Sequence, residues 1–315
     1  MDQNKRPIIL DCDPGTDDAI CLFMLLGDDR FDIKGITPVC GNKPLSFCER
    51  NALQLCELTG REDIPVLKGA SQSLFCGERT AGNVHGAGGL GSVTLPDPHK
   101  QVEDQYAWDF IYQQAVACKG ELEIVAIGPL TNVAGALLKY PNLKDYVKRI
   151  SIMGGAKGLG NWTAAAEFNI WADPHAAKIV FASGIPMAMM GLDICFKAYV
   201  TADDLVRIRA AGGPVAEVAA ELIGERVGYA EKSGRPGGIL CDAVTAAYVM
   251  DESVVQTVDV HVDVETRGIL TEGKTVITYK HTEDRHFPPN TKMGEDVDRP
   301  RFIDLIVNSL TNLNR

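Results

Sequence analysis

The chain has no run of about 18 uncharged apolar residues, so no membrane-spanning helix is expected. It has no C-x-x-C pair, and its nine cysteines are odd in number. Six of them fall in apolar or helical runs, which suits reduced thiols in a cytoplasmic protein better than a disulfide framework. Lysine- and arginine-rich runs are absent too, and 31 basic residues face 42 acidic ones for a formal net charge of −11. The summed field repels phosphate, so neither nucleic acid nor an anionic membrane is an expected partner, and the substrate is expected to be neutral. There is no internal repeat and no low-complexity linker. The opening MDQNKRPIILDCD passes from a short polar tail into a strand without an apolar signal core, so a cytoplasmic enzyme is the expectation.

What is present is an ordinary globular composition, 45% hydrophobic and 23% charged over 315 residues. A chain of this length buries roughly three quarters of its unfolded surface and needs no disulfide or metal staple. Short apolar runs at 7–10, 33–39, 64–67, 122–127, 149–153 and 186–190 read as buried strands. Between them, 18–26, 45–58, 108–118, 131–138 and 174–182 carry apolar residues at three- and four-residue spacing, the mark of helices. This alternation predicts an α/β fold with a mostly parallel, Rossmann-like central sheet flanked by helices. Ligands in such sheets bind beyond the carboxyl ends of the strands. Helical patterning dominates from 201 to 250, broken by the loop KSGRPGG at 232–238. A hairpin-like stretch (257–265, 274–279) and a last helix near 301–313 follow. One domain over 1–315, with a mainly helical cap at about 200–250, is the expected organisation.

The strongest chemical signal is IILDCDPGTDDA at 8–19, where Asp11, Asp13, Asp17 and Asp18 crowd the exit of a buried strand. Carboxylates packed this closely raise one another's pKa, and a divalent cation resolves the conflict. An all-oxygen set selects hard Ca2+ or Mg2+ over zinc. Helix capping accounts for one or two aspartates at such a turn, but not for four within eight residues. An Asp-x-Asp phosphatase nucleophile fits less well, because Gly15 stands where such motifs place Thr or Val. The glycines at 154–160 miss the G-x-G-x-x-G spacing, which sets aside a dinucleotide loop.

The DCDPGTDDA run resembles the amino-terminal signature of the nucleoside hydrolases, the inosine/uridine-preferring N-ribohydrolase family. CGN (40–42), NVHG (83–86), IGPLTN (127–132), the stretch at 152–177 containing AEFNI, MGLDI (190–194) and CDAVTAAY (241–248) extend the resemblance along most of the chain. It implies hydrolysis of the N-glycosidic bond of ribonucleosides to ribose and free base, in nucleoside salvage. It also implies a Ca2+ cofactor held by Asp13, Asp18, Asp242 and the backbone carbonyl of Ile127, with Asp13 as general base. Asp17, Asn42, Glu167 and Asn169 match sugar-binding positions, Asn161 is expected to join them, Met153 is a further candidate substrate contact, and His85 matches a histidine near the base end of the pocket. Assembly as a homotetramer or homodimer is implied in the same way. Independently of the resemblance, metal coordination lowers the pKa of water so that a neighbouring carboxylate can take its proton. Carboxylates also suit the positive charge that develops on the sugar.

Two departures stand out. Cys241 occupies the position before the last metal aspartate, where several relatives carry a histidine proposed to protonate the leaving base. A thiol keeps its proton at neutral pH but donates weakly, so Cys241 is expected to line the pocket while solvent or His85 protonates the base. Ala87-Gly88 stands where relatives often show Glu-Ser. Phe168, Tyr229 and Trp162 are candidates to stack on the base, with core packing as the alternative for each. The segment from about 226 to 238 is expected to be a mobile loop closing over substrate. His99, His175, His261, His281 and His286 are expected at the surface or in structural roles. Two other activities remain open: hydrolysis of a related ribosyl compound such as nicotinamide riboside or a modified nucleoside, and catalytically weak nucleoside or ribose binding.

Overall fold

The apolar runs of the sequence become the centre of one sheet. The computed structural model describes residues 5–279 and 287–314. In chain order it begins with β1 (Arg6–Cys12), α1 (Thr16–Leu26), β2 (Phe31–Pro38), α2 (Leu45–Leu58), β3 (Leu67–Lys68), β4 (Glu103–Tyr106), α3 (Ala107–Ala117) and β5 (Leu122–Ala126). Then come α4 (Thr131–Lys139), β6 (Val147–Met153), α5 (Phe168–Ala172), α6 (Pro174–Phe181), β7 (Met187–Met190), α7 (Leu192–Cys195) and β8 (Tyr199–Val200). The last part holds α8 (Ala202–Arg209), α9 (Gly213–Lys232), β9 (Gly238–Ile239), α10 (Cys241–Met250), β10 (Val255–Val264), β11 (Thr275–Tyr279), β12 (Thr291–Val297) and α11 (Arg299–Asn312).

Eight strands pair in the order β11-β10-β12-β7-β6-β5-β1-β2. From β2 through β12 every neighbouring pair is parallel, and β10 and β11 extend the sheet antiparallel. The fold is thus the expected α/β arrangement, with helices on both faces. Side chains of a strand alternate between faces, and β1 shows the consequence: Ile8 and Leu10 join one core, while Ile9 joins the other. The first core is closed by α1, α9, α10 and α11, the second by α3, α4 and α6. A helix apolar on all sides must be enclosed, and α1 is buried along its whole length except at half-buried Asp17. That enclosure fixes where its amino terminus, and with it the acidic run, can lie. Among the described residues no helix is long and apolar enough to cross a membrane.

Two expectations need correction, and one strand was not foreseen. The run at 64–67 is not a strand of the main sheet; only Leu67–Lys68 pairs, with β4, and Val66 makes one isolated bridge to Ile36. Pro65 has no N–H for a ladder and contributes only its carbonyl, to Ile36 N at 2.9 Å. The charged segment TKMGEDV, which carries no apolar run, forms β12 between β7 and β10. Finally, residues 226–232 are not loop: they are the last turns of α9, and the turn beyond them is tied down where Gly238 pairs with Val200.

Candidate active site

The strand order reverses at β1, which has β2 on one side and β5 on the other. The crevice beyond the carboxyl end of such a strand is the expected ligand site of a doubly wound sheet. A cavity of about 620 Å³ lies there. Its walls come from the segments that follow β1, β2, β5 and β6, and from α9 and the start of α10. Asp17, Asn42, His85, Ile127, Met153, Asn161, Glu167, Phe168, Asn169, Tyr229, Cys241 and Asp242 all line it, as do Trp162 and Arg235. Asp13 and Asp18 sit buried behind this lining.

The turn after β1 is held by its own aspartates. Gly15 precedes α1 and has no side chain to cap it, so Asp18 does the work from inside the helix: its Oδ2 accepts from Gly15 N at 2.9 Å and its Oδ1 from Asp13 N at 3.1 Å. Capping is therefore real for Asp18 and does not exclude a second role. Asp13 is pinned by Asn42, whose backbone N donates to Asp13 Oδ2 at 2.6 Å and whose Nδ2 donates to Asp13 O and Asp18 Oδ2. The other oxygen, Asp13 Oδ1, is buried and has no hydrogen-bond partner among the described residues. Glycine is required at 41 and 128, because a Cβ there would sit 2.1 Å and 2.8 Å from the Asp13 carboxylate.

Carboxylate oxygens of Asp17, Asp18 and Asp242 converge within 4.8 Å of one another. The trio differs from the expected ligand set by including Asp17 in place of Asp13. Burial, and then the neighbouring aspartates, push Asp13 and Asp242 well above the usual carboxylate range, and burial pushes Asp18 up to about 7. Groups this poorly solvated and this close suit a hard cation. The Ile127 carbonyl accepts from Asn169 Nδ2 at 2.8 Å.

The segment after β6 is built around Glu167. Its carboxylate caps α5 by accepting from Asn169 N and Ile170 N, and it accepts from Gly155 N at 2.9 Å; burial raises its pKa to about 7. Asn169 Nδ2 also reaches Met153 O, and Asn161 Oδ1 accepts from Phe168 N. Phe168 packs edge-on against Trp162, with ring centroids 5.0 Å apart, and on Trp171. Both rings thus serve a small apolar cluster while facing the cavity. Tyr229 is exposed on α9.

At the other end, His85 Nδ1 accepts from Thr16 N at 3.1 Å and lies 3.1 Å from both Thr16 Oγ1 and Arg226 Nη2. Burial is the main reason that the pKa of His85 falls to about 4, only partly offset by Asp17. At that pKa the imidazole is neutral near pH 7. Asn51 Nδ2 braces the following loop by donating to Pro14 O and Gly88 O. Cys241 is half-buried, and its thiol is hydrogen-bonded with Cys195, which with burial pushes its pKa well up. Cys241→Ser is expected to change kcat by less than about tenfold, since a thiol held protonated gives at most a weak hydrogen bond; a steady-state comparison checks this. Arg226 and Thr16 were missed by sequence reasoning: an arginine in an ordinary helical pattern 210 residues away gives no signal. His99 and His261 hydrogen-bond at the surface, and His175 packs on Phe75; His281 and His286 lie outside the described residues.

A doubly wound sheet with buried acids and amide side chains around this cavity offers a ligand both hydrogen-bond donors and acceptors. The profile of the inosine-uridine preferring nucleoside hydrolases matches residues 8–304, and the chain belongs to that family, placing it among the glycosidases. It is 42% identical over 306 residues to the pyrimidine-specific ribonucleoside hydrolase RihA of Escherichia coli O81, covering 96% of this chain and 98% of the relative. Among solved structures, the purine-preferring ribonucleoside hydrolase of Gardnerella vaginalis superposes with a TM-score of 0.90 at 31% identity, with 98% of each chain covered. The plant nucleoside hydrolase PpNRh1 superposes at 0.89 with 34% identity, covering 97% of this chain and 99% of that one.

Proposed function

We propose that the protein hydrolyses the N-glycosidic bond of ribonucleosides, pyrimidine ribonucleosides foremost, to ribose and free base. The pyrimidine preference is supported by the 42% identity to RihA over nearly the whole chain. The observation that carries the chemistry is Asp13 Oδ1: a buried carboxylate oxygen with no partner among the described residues, beside three converging carboxylates.

The donor set is all oxygen, crowded and buried, and this fits Ca2+ held by Asp13, Asp18, Asp242 and the Ile127 carbonyl, with Asp17 close enough to join. When bound, Ca2+ would fasten the ribose diol and lower the pKa of water. Asp13 Oδ1 takes the proton of the attacking water. The water oxygen bonds to C1′, the C1′–N bond breaks, and its electron pair leaves with the base. Asp17, Asn42, Glu167 and Asn169 offer the acceptors and donors that ribose hydroxyls need, and surrounding carboxylates favour the oxocarbenium-like sugar. Met153 and Asn161 complete the substrate contacts, and Tyr229 and Phe168 offer faces to the base. The chain is read as one domain over 1–315, cytoplasmic, and assembled as a homodimer or homotetramer.

Incubation with uridine, cytidine, inosine and adenosine, followed by reducing-sugar release, tests this reading. Faster release from uridine and cytidine is expected. Release only from nicotinamide riboside or a modified nucleoside would favour the related-ribosyl activity, and binding without release would leave a binding protein.

A further inference from the structure

Two of the groups that face Nδ1 of His85 can only donate; the others are the Thr16 hydroxyl, with Oγ1 at 3.1 Å, and the Asp17 carboxylate, whose Oδ1 lies 3.9 Å away. Thr16 N is a backbone amide, and Arg226 carries a guanidinium, which has N–H donors and no acceptor. Both point at Nδ1, from 3.1 Å each. A proton on Nδ1 would set N–H against N–H, so Nδ1 must be the acceptor and Nε2 must carry the hydrogen. Arg226 is itself held: its Nε and Nη2 donate to Thr16 Oγ1 at 3.1 Å and 2.5 Å, and Nη2 lies 3.6 Å from Asp17 Oδ1. On the opposite side of the ring, Nε2 has no hydrogen-bond partner among the described residues, while the side chain lines the cavity. Gly15 leaves the room for this packing, since a Cβ there would meet His85 Nδ1 at 2.6 Å.

We propose that Arg226 is a positioning residue that locks His85 as a neutral donor, with Nε2–H presented to a lone pair of the departing base. The acceptor is a carbonyl oxygen or ring nitrogen of the heterocycle, the atom on which charge grows as the C1′–N bond breaks. With the Nδ1 lone pair already occupied, His85 offers a hydrogen bond and relays no proton. The proposal rests on the nucleoside hydrolase reading above and adds to it Arg226, the residue that holds the histidine at the base end of the pocket.

Three measurements on the calcium-supplemented enzyme test it. Selective 15N-histidine labelling should show His85 with Nδ1 aprotic and Nε2 protonated; a protonated Nδ1 overturns the proposal. Arg226→Met should lower kcat for uridine about tenfold, the effect of losing one charge-assisted hydrogen bond to Nδ1 while Thr16 N still donates there, with KM little changed. The same variant should cleave an activated aryl riboside, whose leaving group needs no donor, at nearly the wild-type rate, which also shows that the variant folds. Equal loss on both substrates would mean that Arg226 acts on the sugar end, through Asp17, and would overturn the proposal. In a double-mutant cycle, His85→Ala with Arg226→Met should lose no more uridine activity than His85→Ala alone, and additive losses would refute the coupling. Wild-type enzyme inert toward uridine and the aryl riboside alike would instead sink the underlying activity, leaving the tautomer to be judged by the 15N spectrum.

Discussion

Asp13→Asn is expected to abolish base release, with kcat falling on the order of 10⁴-fold, the upper range for loss of a general base. The substitution is isosteric, and the site dictates how the amide must sit. Asn42 N already donates to the Oδ2 position, so the new carbonyl takes that place and the NH2 falls where Oδ1 was. An amide nitrogen there has no lone pair for a proton. Stability should not fall, because one of several mutually repelling buried acids is removed. Reducing-sugar release beside a thermal melt gives both readouts. A variant within about tenfold of wild type would take the base role from Asp13, since a positioned general base contributes at least 10²-fold.

Chelation should have an effect of similar size. Removing divalent cations is expected to silence the enzyme, and Ca2+ should restore activity and raise Tm. Ligand at about 100 times its Kd contributes about 2.7 kcal/mol to stability. The same treatment should expose a pH dependence whose sign follows from the raised carboxylate pKa values. Asp18 and Glu167 are both pushed up to about 7 by burial, from usual values of 3.8 and 4.5. Between those limits the folded chain binds more protons than the unfolded one, so stability falls as pH rises. The cation-free protein should therefore melt progressively lower from about pH 4 to about pH 7, and the Ca2+-loaded protein should flatten much of that slope. Melts across this range with chelator and with Ca2+ measure the difference. A cation-free Tm that climbs with pH would overturn the raised carboxylate pKa values, and full activity in chelator would dismiss the cation.

Much of this was readable beforehand, and for definite reasons. The strands of the sheet centre are short and continuous in apolar residues because both faces are covered. The acidic run betrayed itself because four aspartates in eight residues have no cheap structural explanation. What failed to show was whatever depended on a distant neighbour. β12 lacks an apolar run because its exposed positions are charged, and it joins the sheet only because β7 and β10 offer it two ladders. The end of α9 looked like loop because Gly228 and Gly234 bracket it, yet Val227 and Ala230 bury against the core and keep it helical through Lys232. His85 read as a possible acid, since nothing near it in the chain announces the guanidinium that meets its Nδ1.

Sequence alone therefore determined the α/β class and the crowding of four aspartates at the exit of the first strand. These depend on residue type and local order, which are covalent properties of the chain. Tertiary structure alone decided that Asp17 joins Asp18 and Asp242, that Asp13 Oδ1 has no partner among the described residues, and that Arg226 meets His85. Each of those is a matter of ångströms between segments far apart in the chain, where burial and a neighbour's charge outweigh what a side chain would do in water.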